Sequence, residues 1–191
     1  MDTRNPGPKG KGSDVRGELL KAGFALYPEH GLEGFSLREV AERAGVNQAM
    51  VRYYFSDKHG FEAAMLDEGY DRVLAAIPDE GDFKVVLAAF TRSLCTMPWL
   101  PLLMLRTVLA GDTLRDQFLE KHAPRLLKAL GNRIQFGRDL DPTYALLSVI
   151  SQLVFPHLAR PVVGPVLGIA FDEAFANGYA DHIAALLNVD Q

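Results

Sequence analysis

Apolar residues recur at helical spacing along almost the whole chain. Over residues 15–27 they return every three or four positions, and this run ends at Gly31, a residue suited to closing a helix. No alternating strand pattern, hairpin dipeptide or internal repeat interrupts the periodicity. The pattern therefore predicts an all-α fold of about nine helices. Six of them are expected at about 57–76, 82–96, 100–110, 113–135, 142–159 and 170–188, with the Pro161 to Pro165 stretch among the separators.

Residues 36–55 predict two short helices joined by a tight turn. Ser36 and Glu39 have the spacing of a capping box, in which each residue satisfies the backbone amide of the other. Gly45 follows the first short helix and can adopt the positive φ of a sharp turn. Asn47 is a good N-cap for the second helix. This order is typical of a helix-turn-helix motif.

The second short helix is the candidate DNA-reading element. If Val51 is the centre of its buried face, steps of about 100° place Ala49 and Tyr53 on the opposite side, with Arg52 beside them. Gln48 projects from the first turn. Glutamine pairs with adenine and arginine with guanine in the major groove, and a small alanine allows close approach to a thymine methyl. These side chains therefore predict an outward face that contacts DNA.

The segment GLEGFSLREVAERAGVNQAMVRYYFSDKHGF resembles the DNA-binding region of TetR-family transcriptional regulators. It has their glycine-aromatic pair, capped helix ending in Ala-Gly-Val, aromatic-rich reading helix and Ser-x-Lys opening of the fourth helix. Arg52 stands where many relatives have tyrosine, and His59 where many have glutamate. The DNA-binding residues expected on these grounds are Ser36, Arg38, Asn47, Gln48, Ala49, Met50, Arg52, Tyr53, Tyr54 and Lys58.

The resemblance also implies a domain organisation. We expect a flexible basic arm at 1–12, a three-helix DNA-binding domain at 13–60, and a larger helical domain at 61–191 that binds an effector and dimerises. The candidate effector-binding residues are Phe90, Met97, Trp99, Leu103, Met104, Arg106, Phe118, His122, Gln152 and Phe155. Arg106 interrupts an apolar run and needs an anion, which an internal carboxylate could also supply.

The resemblance implies a homodimer formed chiefly by the last two helices. Their apolar surface is broader than one protomer can cover, which favours a partner. The candidate interface residues are Leu147, Ile150, Val154, Phe171, Phe175, Gly178, Tyr179 and His182. A dimer would bring two reading helices to a palindromic operator.

Charge and composition narrow the function classes. The net charge of −4 does not indicate a nucleic-acid partner. Residues 1–60, however, hold nine Lys or Arg and eight Asp or Glu, so the acidity of the chain lies in residues 61–191. Cys95 is the single cysteine, which excludes an internal disulfide and favours a reducing, cytoplasmic setting. The longest apolar window is too short to span a membrane. The five histidines are scattered, so no metal, cofactor or catalytic site is expected.

These observations predict a homodimeric transcriptional regulator that binds double-stranded operator DNA. We expect a repressor that a small hydrophobic or amphipathic effector releases. An activator or a ligand-independent regulator of the same fold remains open, and so does a small helical enzyme without a recognisable catalytic motif.

Overall fold

The computed structural model describes residues 14–111, 113–131 and 140–187, so the predicted basic arm at 1–12 lies outside the described residues. Every regular element in these ranges is helical, which confirms the all-α prediction. The elements are α1 (Val15–His30), α2 (Leu37–Ala44), α3 (Gln48–Phe55), α4 (Lys58–Ala76), α5 (Phe83–Thr96), α6 (Trp99–Ala110), α7 (Thr113–Gln117), α8 (Ala123–Gly131), α9 (Pro142–Leu158), α10 (Arg160–Leu167) and α11 (Glu173–Leu186).

One predicted separator was wrong, and one predicted helix has an irregular interior. The stretch from Pro161 to Pro165 is not a separator but most of α10. Pro161 lies in the first turn of that helix, where the backbone amide needs no intrahelical partner. The helix expected at 113–135 contains a π-helical segment, Phe118–His122, which joins α7 to α8 in one continuous rod. The described ranges therefore contain ten separate helices, one more than expected.

One hydrophobic core runs through the described helices. Its largest fully buried side chains include Tyr27 of α1, Phe61 and Tyr70 of α4, and Phe83 of α5. The longest helix, α4, packs against α1, α3, α5, α6 and α7. Because α4 begins at Lys58 and continues to Ala76, it crosses the expected domain boundary at residue 60 and belongs to both parts of the protein.

A smaller cluster joins α5 to the last two helices. It contains Cys95, whose side chain is buried, together with Phe171 and Ala176. His157 of α9 packs edge-on against Phe171, with 5.4 Å between the ring centroids. Neither nitrogen of this buried imidazole has a hydrogen-bond partner among the described residues. Burial, with a smaller contribution from Arg160, lowers the pKa of His157 to about 4.

No single helix among the described residues is both long and apolar enough to cross a membrane. Two pairs of consecutive helices, α5 with α6 and α9 with α10, reach the length and apolar composition of a membrane span only when the two helices are taken together. The chain bends by 93° between α5 and α6 and by 79° between α9 and α10.

We expect acid to destabilise the fold through His157. The folded-state pKa lies below the ordinary value of 6.5, so the unfolded chain binds the proton more readily and stability falls as the pH drops from 6.5 towards 4. The shift corresponds to about 3 kcal/mol. Chemical denaturation at several pH values in this range measures the free energy of unfolding. This free energy should fall less steeply with falling pH for His157→Phe than for the unchanged protein. The exposed His59→Phe is the control, and an identical slope in all three proteins would contradict the assignment.

Candidate functional site

The start of α2 is fixed by the capping box that the sequence predicts. The Ser36 amide donates to Glu39 Oε2 at 2.8 Å, and the Ser36 hydroxyl oxygen accepts from the Glu39 amide at 3.2 Å. The backbone hydrogen bond from Ser36 is the main reason that the pKa of Glu39 lies below its ordinary value. These contacts satisfy backbone groups that the first turn of a helix would otherwise leave unpaired.

The turn between α2 and α3 depends on Gly45. Its φ of 67° and ψ of 30° are left-handed values that suit glycine, and the Val46 amide closes the turn on the Ala41 carbonyl at 3.0 Å. Asn47 then caps α3 by accepting from the Ala49 amide at 2.8 Å. Val51 is fully buried and anchors α3 against the core. The chain thus forms a helix-turn-helix.

The predicted reading residues occupy the exposed side of α3. Gln48, Ala49 and Arg52 are exposed, and Tyr53 is the most exposed of the described large aromatic residues at 79%. Tyr54 is also exposed, at 38%. None of these side chains fills the core, so all are available to a partner.

The remaining predicted DNA contacts lie beside this face. Asn47 is exposed and Met50 is half-buried at the start of α3, and Ser36 and Arg38 are exposed at the start of α2. Arg38 donates to Glu42 at 2.7 Å in an exposed ion pair, which costs little to open. Lys58 is half-buried, with Nζ 5.8 Å from the centroid of the Phe35 ring, and burial lowers its pKa.

An apolar cavity of about 590 Å³ lies between α5, α6, the π-helical segment, α8 and α9. Four of the ten predicted effector-binding residues line it: Phe90, Met104, Phe118 and Phe155. Ile150 and Val154, expected at a dimer interface, also line it. Among the lining residues that the structure describes, only Ser151 has a polar side chain, and its hydroxyl donates to the Leu147 carbonyl at 2.8 Å. The described side chains of the cavity therefore offer contacts to a hydrocarbon.

The other six predicted effector residues lie outside the lining of this cavity. Met97, Trp99 and Leu103 are buried core residues, and Trp99 stacks on Phe24 with ring centroids 4.2 Å apart. Gln152 is half-buried on α9. The imidazole of His122 contacts Asp67. The cavity-lining residues that sequence reasoning missed are Leu105, Val108, Ala123, Leu126, Leu127, Leu130, Ser151, Leu153 and Leu158.

Arg106 is paired with an internal carboxylate, which the sequence left open as the alternative to an anion of the effector. It forms an ion pair with Glu62 of α4, whose side chain is only 1% exposed. The Tyr27 hydroxyl donates to Glu62 Oε1 at 3.4 Å, and Arg106 Nη1 lies 3.5 Å from the same hydroxyl. The pair thus connects α6 to α4 and α1, the helices that carry the helix-turn-helix.

The predicted interface residues form an aromatic row on α11 and an apolar face on α9. Phe175 stacks on Tyr179 with 5.2 Å between ring centroids, and the rings of Tyr179 and His182 are 6.3 Å apart. Gly178 is exposed, whereas Phe171 is buried within the protomer. Leu147 is 60% exposed. Sequence reasoning missed the apolar surface of α10, where Val162, Val166 and Leu167 are exposed.

Comparisons with known proteins agree with the geometry. Residues 19–65 match the profile of the family described as bacterial regulatory proteins, tetR family. An uncharacterized HTH-type transcriptional regulator of Mycobacterium tuberculosis is 31% identical over 75 residues, which cover 39% of this chain and 40% of that protein. The chain thus spans less than half the length of the curated relatives it matches.

Solved structures share the fold over most of the chain. A transcriptional regulator from Rhodococcus sp. Rha1 superposes with a TM-score of 0.65 at 22% identity, covering 92% of this chain and 96% of the other. The regulator FadR from Bacillus subtilis, solved with stearoyl-CoA, gives a TM-score of 0.66 at 16% identity and covers 88% and 97%. The fold and the exposed α3 face define a helix-turn-helix protein. The similarity to the tetR family of bacterial regulatory proteins lies in residues 19–65, which run from α1 into α4.

We expect Arg106→Met to lower the free energy of unfolding by about 3 kcal/mol, because it leaves the Glu62 carboxylate buried without its cation. Arg106→Met combined with Glu62→Gln should recover part of this loss. The matched control is Arg72→Met, which breaks an exposed pair with Glu68 and should cost less than about 1 kcal/mol. Urea denaturation measures all three, and equal effects of the two single substitutions would exclude a buried, energetically important pair.

Proposed function

We propose that this protein is a homodimeric transcriptional regulator that reads operator DNA with α3 and releases it when a hydrophobic effector occupies the apolar cavity. The observation that carries the proposal is the exposed face of Gln48, Ala49, Arg52 and Tyr53 on a short helix whose start and preceding turn are fixed. Such a regulator acts in the cytoplasm, where bacterial DNA lies. Repression is the mode we favour.

The charges near α3 support DNA binding despite the acidic total. Arg52 is exposed, and Lys58 lies at the start of α4 beside the helix-turn-helix. Phosphate contacts from these groups would supply affinity that weakens with salt, while Gln48 and Arg52 would supply base discrimination. A tyrosine hydroxyl such as that of Tyr53 suits a phosphate contact. The proposed interface therefore combines positioning and reading groups.

We expect Arg52→Ala to weaken binding to DNA from upstream of the protein's own gene or of a neighbouring gene. The loss should correspond to about 1–3 kcal/mol, or roughly five- to 150-fold, because the guanidinium makes a base or phosphate contact. Electrophoretic mobility shift at fixed salt measures it. The matched control is Arg72→Ala, an exposed arginine on α4. An unchanged shift for a folded Arg52→Ala protein would rule out α3 as the reading helix.

Dimerisation through α9 and α11 is the arrangement that the exposed surfaces favour. Leu147 and Tyr144 expose large side chains on α9, and the stacked row of Phe175, Tyr179 and His182 runs along α11. One short reading helix gives limited affinity, whereas two helices in a dimer combine theirs on a two-fold operator.

We expect Leu147→Glu to convert a dimer into a monomer and to weaken operator binding at least tenfold, because a carboxylate would be desolvated in the interface. Sedimentation velocity and DNA titration on the same sample test the two effects together. Val85→Glu, a comparable change at an exposed valine of α5, should leave both unchanged. A Leu147→Glu monomer that keeps full DNA affinity would contradict the proposal.

The apolar cavity is the proposed effector site. The part of its lining that the structure describes is hydrocarbon apart from Ser151, and its volume lies in the range of small-molecule sites. FadR, which has a similar fold, was solved with stearoyl-CoA, so this fold accommodates an acyl-CoA ligand in that protein. Met104, Leu105 and Val108 line the cavity on α6, on either side of Arg106. A shift of α6 on ligand binding would therefore reach α4 through the ion pair with Glu62, and DNA would in turn weaken ligand binding by the same factor.

A further inference from the structure

The buried Glu62 carboxylate is satisfied at only one of its two oxygens. Its Oε1 forms the ion pair with Arg106 and accepts from the Tyr27 hydroxyl at 3.4 Å. Its Oε2 is also buried and has no hydrogen-bond partner among the described residues. Both oxygens of a carboxylate can accept, and buried polar atoms normally have a partner. Glu62 can therefore accept from a second donor.

Lys58 is placed to be that donor. It precedes Glu62 by four residues on α4, so the two side chains share one face of the helix, with about 5–6 Å between their Cβ atoms. Side chains on a helix lean towards its N-terminus, which directs Glu62 back towards Lys58. The Lys58 ammonium lies over the Phe35 ring, and Phe35 packs edge-on against Tyr27 with 5.3 Å between ring centroids. Lys58 and Glu62 thus border the same aromatic cluster.

Arg106 and Lys58 are two cations beside one buried carboxylate. Burial is the main reason that the pKa of Lys58 lies below its ordinary value, and repulsion by the Arg106 guanidinium is the second. The two cations therefore interact, although only Arg106 is paired with Glu62. Glu39 attracts Lys58, but its Oε2 already accepts from the amide and the hydroxyl of Ser36 at 2.8 Å. Of these two carboxylates, Glu62 is the one that keeps a buried oxygen without a partner.

Withdrawal of Arg106 would leave Glu62 in need of another cation. The Glu62 side chain is 1% exposed, and an unpaired buried charge costs far more free energy than a paired one. Leu105 and Val108 line the effector cavity on either side of Arg106, so a ligand that displaces α6 displaces Arg106 as well. A small displacement carries α4 with it, whereas one beyond the reach of the ion pair breaks the pair. Lys58 lies on the same helix as Glu62 and can then replace Arg106 by rotation of its side chain alone.

We propose that Lys58 is an exchangeable cation, which contacts a DNA phosphate while Arg106 is paired with Glu62 and pairs with Glu62 when an effector draws Arg106 away. The exchange removes one phosphate contact from each protomer and so weakens DNA binding. This inference rests on the proposed function and adds the means by which the effector cavity acts on the DNA-binding surface.

Titration of the lysine Cε resonances by NMR tests the exchange without DNA or effector, with Lys58 identified as the resonance that Lys58→Gln lacks. Arg106→Gln removes the first cation, so Lys58 should pair with Glu62 and its pKa should rise above the ordinary value of 10.5. Addition of Glu62→Gln should bring the pKa back to that value or below it. Arg72→Gln, which removes an exposed arginine of α4, is the matched control and should leave the pKa unchanged.

Three results of this titration would overturn the proposal. The first is a Lys58 pKa that stays at or below its ordinary value in Arg106→Gln. The second is a rise that survives Glu62→Gln, because the carboxylate responsible would then be another one. The third is an Arg106→Gln protein that does not fold, because Lys58 would then have failed to replace the missing cation.

Electrophoretic mobility shift with the upstream DNA over a range of salt concentrations measures the functional consequence. Arg106→Gln and Lys58→Gln should each weaken binding roughly tenfold or more, the range expected for a hydrogen bond to a charged group. Each should also reduce the slope of log affinity against log salt by about 0.9 for every phosphate contact that is lost. The two substitutions combined should bind no more weakly than either alone, because both remove the same contact. Additive losses would indicate a merely structural role for Arg106 and would overturn the exchange.

The two measurements separate this proposal from the proposed function. If Arg52→Ala weakens DNA binding as expected while the pKa of Lys58 does not respond to Arg106→Gln, the proposed function stands and the exchange is wrong. If the pKa of Lys58 responds but a folded Arg52→Ala protein binds DNA as the unchanged protein does, the reading helix is wrong, and the exchange is wrong as a DNA switch with it.

Discussion

The buried carboxylate of Glu62 is the constraint on which the arrangement of the helices depends. A charge that is 1% exposed must be paired, and Arg106 supplies the cation from α6 while Tyr27 supplies a hydroxyl from α1. This requirement fixes three helices relative to one another at a single point. The helix-turn-helix packs on α1 and the start of α4, so its position relative to α6 depends on the same contact.

The same contact gives the proposed regulation a physical route. Glu62 lies one turn after Lys58 on α4, and Arg106 lies between cavity-lining residues on α6. A ligand that moved α6 would have to carry Glu62 and α4 with it or break a buried ion pair. A rigid link of this kind converts a small displacement at a cavity into a change in the spacing of two reading helices, provided that the protein dimerises as proposed.

Local interactions were predictable from the sequence, and packing between distant helices was not. Ser36, Gly45 and Asn47 act through hydrogen bonds and backbone angles within a few residues, so their spacing was sufficient. The cavity depends on which helices face each other. From the sequence alone, Trp99 and Leu103 were therefore as suitable for a ligand site as Leu105 and Val108. Only Leu105 and Val108 line the cavity. Pro161 is compatible with α10 because a helix tolerates proline in its first turn, whereas Pro165 lies inside the helix, where the sequence favoured a break.

The central claim is that α3 reads a specific DNA sequence in a two-fold dimer, and selection of duplexes from a random pool by the unchanged protein tests it most directly. The account predicts an enriched palindrome whose half-sites are separated by about one helical turn, 34–36 Å, or a multiple of it. Hydroxyl-radical footprinting should then show two symmetric protected regions on one face of the duplex. Recovery of no enriched motif, or of a single unpaired half-site bound by a dimer, would contradict the account.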